Sequence, residues 1–289
     1  MPERKPLTYK DAGVDIDLGN DASRVLYEAA KLTWNNRKDQ LRNVIELSSD
    51  FSSIRGIHIG GLPAGTYFNL GFDGVGTKVE LGERTLKHDT VAYDLFAMGC
   101  DDAVRYGFEP VVVGSVLDVR SLKNEESDTS SIDFIKQLAI GSVRAAGEAN
   151  VVIINGEVAE LGARVQGFGP FNYNWSAGVA AFAKRENIIT GQKVKKGDVL
   201  VALGEEGFRS NGISLVRKIL NDEYGNNWHL RSWEQEDMPL GEAVLVPSKI
   251  YTKPIIAMTG GYRNNPTVQI HAIAHITGGG DSRETWESA

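Results

Sequence analysis

The chain has 289 residues, 42% hydrophobic and 24% charged, with 31 Lys and Arg against 38 Asp and Glu for a formal charge of -7. That length supports two cores of ordinary domain size, and the acidic balance excludes a general field for gathering nucleic acid or anionic lipid, which leaves a small molecule or a protein as the expected partner. Its single cysteine, Cys100, cannot close an internal disulfide; no window approaches the roughly 18 apolar residues of a membrane span, residues 1–7 lack the apolar centre of a signal peptide, and a cytoplasmic protein is expected.

Residues 8–20 are acidic and marked by glycines, which predicts an extended arm. From Asp21 to Leu47 the apolar residues Val25, Ala29, Leu32, Leu41, Val44 and Ile45 recur at helical spacing and predict one or two helices, capped by Asp21 or Ser23. Thr66 to Phe72 is short, aromatic and flanked by glycines, as a strand ending at Asp73 would be. Asp89 to Tyr106 reads as a helix with Asp89 as its cap and Gly107 past its end. Then follow a strand at Val111 to Val119, an amphipathic helix at Ser131 to Ala149, a buried strand at Val151 to Ile154 running into Asn155-Gly156-Glu157, and a strand at Ala177 to Ala183.

A polar stretch at 185–197 separates an expected domain 1–188 from an expected domain 189–289. The second holds predicted strands at Val199 to Leu203 and Val268 to Ile276, with helices opening near Asn211 and spanning Ser248 to Met258. The whole is an α/β (α+β) pattern in which helices alternate with strands.

Asp73-Gly74-Val75-Gly76-Thr77-Lys78 sets a carboxylate, two glycines, a hydroxyl and an ammonium within six residues. Divalent metal takes hard oxygen ligands, and phosphate takes backbone N-H groups and a point charge. A triphosphate loop and a plain glycine turn both fit, although the spacing is neither a P-loop nor a dinucleotide fingerprint. On the following helix Asp94 and Asp101 fall about 20° apart and Asp102 about 80° from Asp94. An acidic face on so apolar a helix points to burial or metal binding rather than to solvent. Glu157 and Glu160 can be surface acids or can complete a metal shell. Ser210-Asn211-Gly212 and Thr277-Gly278-Gly279-Gly280 can each offer N-H groups to a phosphate, and of the five histidines only His275 abuts a candidate site.

These segments, in order, resemble aminoimidazole ribonucleotide synthetase, the phosphoribosylformylglycinamidine cyclo-ligase family. The resemblance rests on residues 9–17, Asp73 to Lys78, His88-Asp89-Thr90, Gly107 to Pro110, Ser210 to Ile219 and His271 to Gly280. It implies two α/β domains, with N-terminal sheets that pair two copies into a barrel and a C-terminal α/β sandwich here expected to be incomplete. It further implies an ATP-dependent, Mg2+-requiring ligase of purine biosynthesis acting on a ribonucleotide, with formylglycinamidine ribonucleotide closed to aminoimidazole ribonucleotide as ADP and phosphate leave. By position, Asp73, Asp102 and Glu157 resemble the magnesium ligands. Lys10, Asp11, Gly13, Asp15, Asp73, Gly74, Gly76, Thr77 and Lys78 resemble the nucleotide site, with Lys78 and Thr77 on phosphate. Ser210, Asn211, Gly212 and Thr277 to Gly280 resemble the substrate site, and Lys78, Asp94 and Arg209 stand where the chemistry is expected.

The chain departs from the family at Arg209, where a histidine is usual, at Asp101 in place of Asn, and across 54–62 and 155–163. A fixed guanidinium replaces a group able to exchange a proton near neutral pH. A paralogue phosphorylating an oxygen of another acceptor, and a nucleotide-binding module without turnover, are the alternative readings.

Overall fold

The computed structural model describes residues 14–38, 40, 44–46, 48, 50–123, 131–233 and 237–277. Its centre is a four-stranded mixed sheet of β3 (Thr66–Gly74), β4 (Glu109–Val119), β5 (Val152–Glu160) and β6 (Tyr173–Lys184), in the order β3-β6-β4-β5. β6 runs antiparallel to both β3 and β4, whereas β4 and β5 are parallel and joined through α4 (Ser131–Ala149). Alternation sets the two faces of β6 apart: Tyr173, Trp175, Ala177 and Val179 are buried on one, while Asn174, Ser176, Gly178 and Ala180 occupy the other.

On the buried face lies α3 (Val91–Val104), apolar nearly all round and enclosed on almost every side. Leu95 and Phe96 of α3 join Phe134, Ile135 and Leu138 of α4 and Leu117, Trp175 and Val179 of the sheet in one core. Each such side chain contributes roughly 1.5–3 kcal/mol by leaving water. Ile213, Trp228, Val244, Leu245 and Ile250 belong to the same core. Apolar packing therefore runs uninterrupted past residue 188.

Several elements differ from the sequence expectations. α1 spans Ile16–Thr33, so the end of the supposed extended arm is helical. Asp15 caps it, its Oδ1 accepting from the Leu18 N-H at 3.3 Å, and burial of Ala22 and Ala30 outweighs the cost of Gly19 inside a helix. The helix does not continue towards Leu47. Trp34 and Asn36 instead donate to the carbonyls of Ile153 and Val151, both at 2.9 Å, and Arg37 to that of Asn150 at 2.8 Å, drawing the chain along β5. β1 (Val44–Glu46) then pairs with β2 (Arg55–Ile57). Thr90 rather than Asp89 is the cap residue of α3, and Asp89 faces Arg144 at 3.5 Å.

Beyond residue 188 the fold is α5 (Ile213–Tyr224), α6 (Leu240–Val244), α7 (Thr252–Thr259) and a two-residue ladder of β7 (Ser232–Trp233) with β8 (Met238–Pro239). The strands expected at 199–203 and 268–276 are absent. Val199 and Leu200 are 86% and 91% exposed, and among the described residues no neighbouring strand offers them hydrogen-bond partners. α7 starts at Thr252 rather than Ser248, because the Ser248 hydroxyl turns into the core and donates to Asp94 at 2.6 Å. No described helix is long and apolar enough to cross a membrane.

Candidate active site

β3 ends at Asp73-Gly74, and the chain turns at once into a short helical turn at Gly76–Lys78, where Gly76 has φ +63°. Asp73 is half-buried, and its Oδ1 accepts from the Gly74 N-H at 2.7 Å. Burial raises its carboxyl above the usual range, and the negative charge of Asp102 adds to the rise. The two carboxylates therefore share one neighbourhood. Asp102, on α3, is held below the usual range by His275 first and by Arg105, with His275 Nδ1 at 3.9 Å and Arg105 Nε at 3.1 Å.

The other two acids of α3 are committed to cations. Asp94 is wholly buried, and its Oδ1 accepts from Lys78 Nζ at 2.8 Å and from Ser248. Burial pushes its pKa up and that of Lys78 down, while their mutual attraction opposes both shifts. Asp101 is buried as well. Its Oδ2 accepts from Arg209 at 3.1 Å, and its Oδ1 from the Tyr251 N-H at 3.0 Å and the Thr252 hydroxyl at 3.2 Å. Arg209 also pairs with Glu205, donates to the Lys249 carbonyl at 3.1 Å, and lies 3.5 Å from His275 Nε2. Since a guanidinium can only donate, that nitrogen faces it as an acceptor and the other ring nitrogen faces Asp102.

Lys78 is expected against a phosphate. Its ammonium is fully enclosed and donates to Asp94, to the Phe208 carbonyl at 2.6 Å and to the Val246 carbonyl at 2.8 Å. Thr77 Oγ1 lies 2.7 Å from Ser214 Oγ. The Asp73 loop is thus stitched to the segment that carries Arg209, Ser210, Asn211 and Gly212. Ser210 Oγ is buried with no hydrogen-bond partner among the described residues, Asn211 Nδ2 points to Met98 Sδ at 3.5 Å, and Gly212 has φ +84° ahead of α5.

Two expected members stand apart. Register aligns Gly74, Ser176, Val116 and Glu157 across the sheet, so Glu157 lies three strands, roughly 14 Å, from β3. It is exposed on the face opposite Asp73. Asp15 is spent on capping α1, and its N-H donates to Glu160 Oε2 at 3.0 Å, also at the β5 edge. Among the described residues no three His, Cys, Asp or Glu side chains gather closely enough to hold a metal ion. Thr277 is the last described residue here; Lys10, Asp11, Gly13 and Gly278 to Gly280 lie outside the described residues.

Residues 58–173 match the family described as AIR synthase related protein, N-terminal domain, and residues 195–285 match its C-terminal domain. The phosphoribosylformylglycinamidine cyclo-ligase of Pyrococcus furiosus is 32% identical over 275 residues, which are 95% of this chain and 73% of that protein. The chain belongs to the AIR synthase family. The cyclo-ligase of Carboxydothermus hydrogenoformans is 34% identical over the same share of each chain. A solved hydrogenase maturation protein, HypE of E. coli, superposes with a TM-score of 0.45 at 15% identity over 81% of this chain and 58% of that one.

Within this AIR synthase fold, sequence reasoning missed Ser248, Glu205 and the carbonyls of Phe208 and Val246. Backbone oxygens carry no side-chain signal, and Ser248 was indistinguishable from a helix-opening serine.

Proposed function

We propose that the chain is an ATP-dependent phosphoribosylformylglycinamidine cyclo-ligase. ATP phosphorylates the formyl amide oxygen of formylglycinamidine ribonucleotide, the amidine nitrogen attacks that carbon and expels phosphate, and the imidazole ring of aminoimidazole ribonucleotide closes. The observation that carries this reading is the match to curated cyclo-ligases along 95% of the chain. An amide oxygen leaves poorly, so converting it to phosphate lowers the barrier. The protein's tasks are positioning and charge neutralisation.

The donor chemistry fits magnesium nucleotide. Mg2+ prefers one or two carboxylates with the rest of its shell from phosphate and water, and Asp73 and Asp102 are a carboxylate pair of that kind. When bound, the ion neutralises phosphate charge. The turn at Gly76 and Thr77 presents backbone N-H groups to the polyphosphate, and the Ser210 hydroxyl, unpartnered among the described residues, takes the ribonucleotide phosphate with Asn211 and Gly212. Arg209 anchors that loop through Asp101 and Glu205 and supplies a fixed positive charge at its start. Residues 1–188 carry the nucleotide and residues 189–289 the ribonucleotide.

A homodimer accompanies this reading. Phe68, Leu70, Phe72 and Val116 stand exposed on the outer sheet face, an apolar surface suited to a second copy. Glu157 shares that face, so a metal-ligand role for it requires the partner.

Incubation with ATP, Mg2+ and formylglycinamidine ribonucleotide is expected to give ADP and aminoimidazole ribonucleotide in equal amounts. Folded protein that binds ATP yet releases neither product would overturn the assignment, and phosphate release with a different acceptor would favour the paralogue.

A further inference from the structure

Lys78 sits in the nucleotide loop, yet nothing about its ammonium is available to a nucleotide. An ammonium has three N-H donors. All three are taken, by Asp94 Oδ1 at 2.8 Å and by the carbonyls of Phe208 and Val246 at 2.6 and 2.8 Å, and the side chain has no exposed surface. The two carbonyls belong to separate segments. Phe208 directly precedes Arg209-Ser210-Asn211-Gly212, while Val246 lies two residues before Ser248, whose hydroxyl shares the same Asp94 oxygen.

Such an arrangement differs from a phosphate-binding lysine, whose charge must face open space that a ligand can enter. Freeing the ammonium would strand two carbonyls and a carboxylate in a dry interior, each loss costly there. Meanwhile the residues that precede Lys78 remain with the site: the Thr77 hydroxyl lies 2.7 Å from that of Ser214, and Asp73 begins the same turn. The buried Lys78 ammonium thus holds the turn that ends β3 to the loop that opens α5 from inside, while the Thr77–Ser214 contact joins the same two segments at the surface.

We propose that Lys78 is a positioning residue, a strut that holds the Arg209-Ser210-Asn211-Gly212 loop in register with the Asp73-Gly74-Val75-Gly76 turn, and not a ligand of the triphosphate. The inference rests on the functional reading only in what it says the two loops bind; the strut itself is a matter of geometry. Its consequence for the reaction is an asymmetry. Losing the strut leaves nucleotide affinity in place and displaces the ribonucleotide relative to the group it must receive.

Three measurements test it. Amine-directed labelling of the wild-type protein, read by mass spectrometry, is expected to leave Lys78 unmodified with and without ATP; labelling in the free protein that ATP prevents would overturn the strut. Calorimetric titration of Lys78→Met with ATP and Mg2+ is expected to give a Kd within about twofold of wild type. In turnover its KM for the ribonucleotide rises and kcat falls roughly 100-fold, as misplaced reactants imply, with the KM for ATP unchanged. A Kd for ATP weakened about tenfold or more would place the ammonium on phosphate and sink the proposal. Because Lys78→Met leaves the Asp94 charge buried and alone, the double variant Lys78→Met with Asp94→Asn removes both charges and serves in the same titration. Wild-type protein that fails to bind ATP would refute the functional reading instead, and the labelling arm would still decide the strut.

Discussion

Glu83 lies on α2 (Val79–Thr85), is almost fully buried and faces no cation directly. Its oxygens accept from the N-H groups of Phe168 at 2.7 Å and Tyr173 at 3.2 Å, tying the 167–172 loop to the helix. Burial pushes its pKa up to about 7, against those hydrogen bonds, one from the Asn172 side chain and the Arg84 charge. With the folded pKa above the unfolded one, the stabilising contribution is complete below about pH 4.5 and is lost as pH rises through about 7. Urea midpoints taken between pH 5 and 7.5 are expected to fall faster in wild type than in Glu83→Gln, by up to about 3 kcal/mol of relative stability. Parallel curves would show that Glu83 does not titrate in this window. No motif announces this residue, since its character comes from a loop 85 positions away. A glycine turn marks Asp73 in the sequence, whereas the helix register pairs Asp94 with Asp101 and does not separate Asp102, whose side chain meets Arg105 and His275 instead. The ammonium of Lys78 was not legible there, because its partners are carbonyls supplied by tertiary structure.

Where pattern and packing agree, an element was read from sequence to the residue. α4 occupies the predicted span 131–149, since its apolar stripe meets both α1 and α3, whereas β5 (Val152–Glu160) and β6 (Tyr173–Lys184) outrun the predicted 151–154 and 177–183 because pairing with β4 carries them past their apolar residues. The apolar runs at 199–203 and 268–276 carry the same local signal without forming strands, because a strand is a relation between segments and periodicity reports only one of them. Gly141 shows the reverse case, a residue that weakens its helix locally yet is demanded by packing. A Cβ there would overlap the carbonyl oxygen of Asp89 and stand 3.2 Å from Ala92 Cβ, so α4 approaches the start of α3 more closely than any side chain permits. Gly141→Ala is therefore expected to lower stability by about 2 kcal/mol despite its better helix propensity, measured as a urea midpoint shift with unchanged slope. A stabilised variant would mean that the two helices are free to separate.

At the scale of the molecule, the sheet is finished on one face and open on the other. The core fills the side toward α3 and α4, whereas the fully buried apolar residues described on the opposite side form a small cluster at one end, where Tyr262 packs on Phe182 and Val111. Beyond that cluster Phe72, 77% exposed, lies over Gly178, with Phe68, Leu70 and Val116 around it. From sequence these residues were only members of an aromatic, glycine-flanked strand and of the strand at Val111 to Val119; which of them meet water depends on where the helices land. Leaving such a surface wet forgoes roughly 25 cal/mol per Å2, and a stable pair of copies needs about 800 Å2 from each. In light scattering at micromolar concentration the wild-type chain is expected at twice its single-chain mass. The double variant Phe68→Asp with Phe72→Asp is expected at single-chain mass with its melting transition still cooperative, because both side chains are exposed within one chain and the inner core does not depend on them. The result that defeats this reading is a wild-type monomer, which would require the open face to tolerate water; an undiminished dimer in the variant would instead move the interface to another surface, and Glu157 away from it.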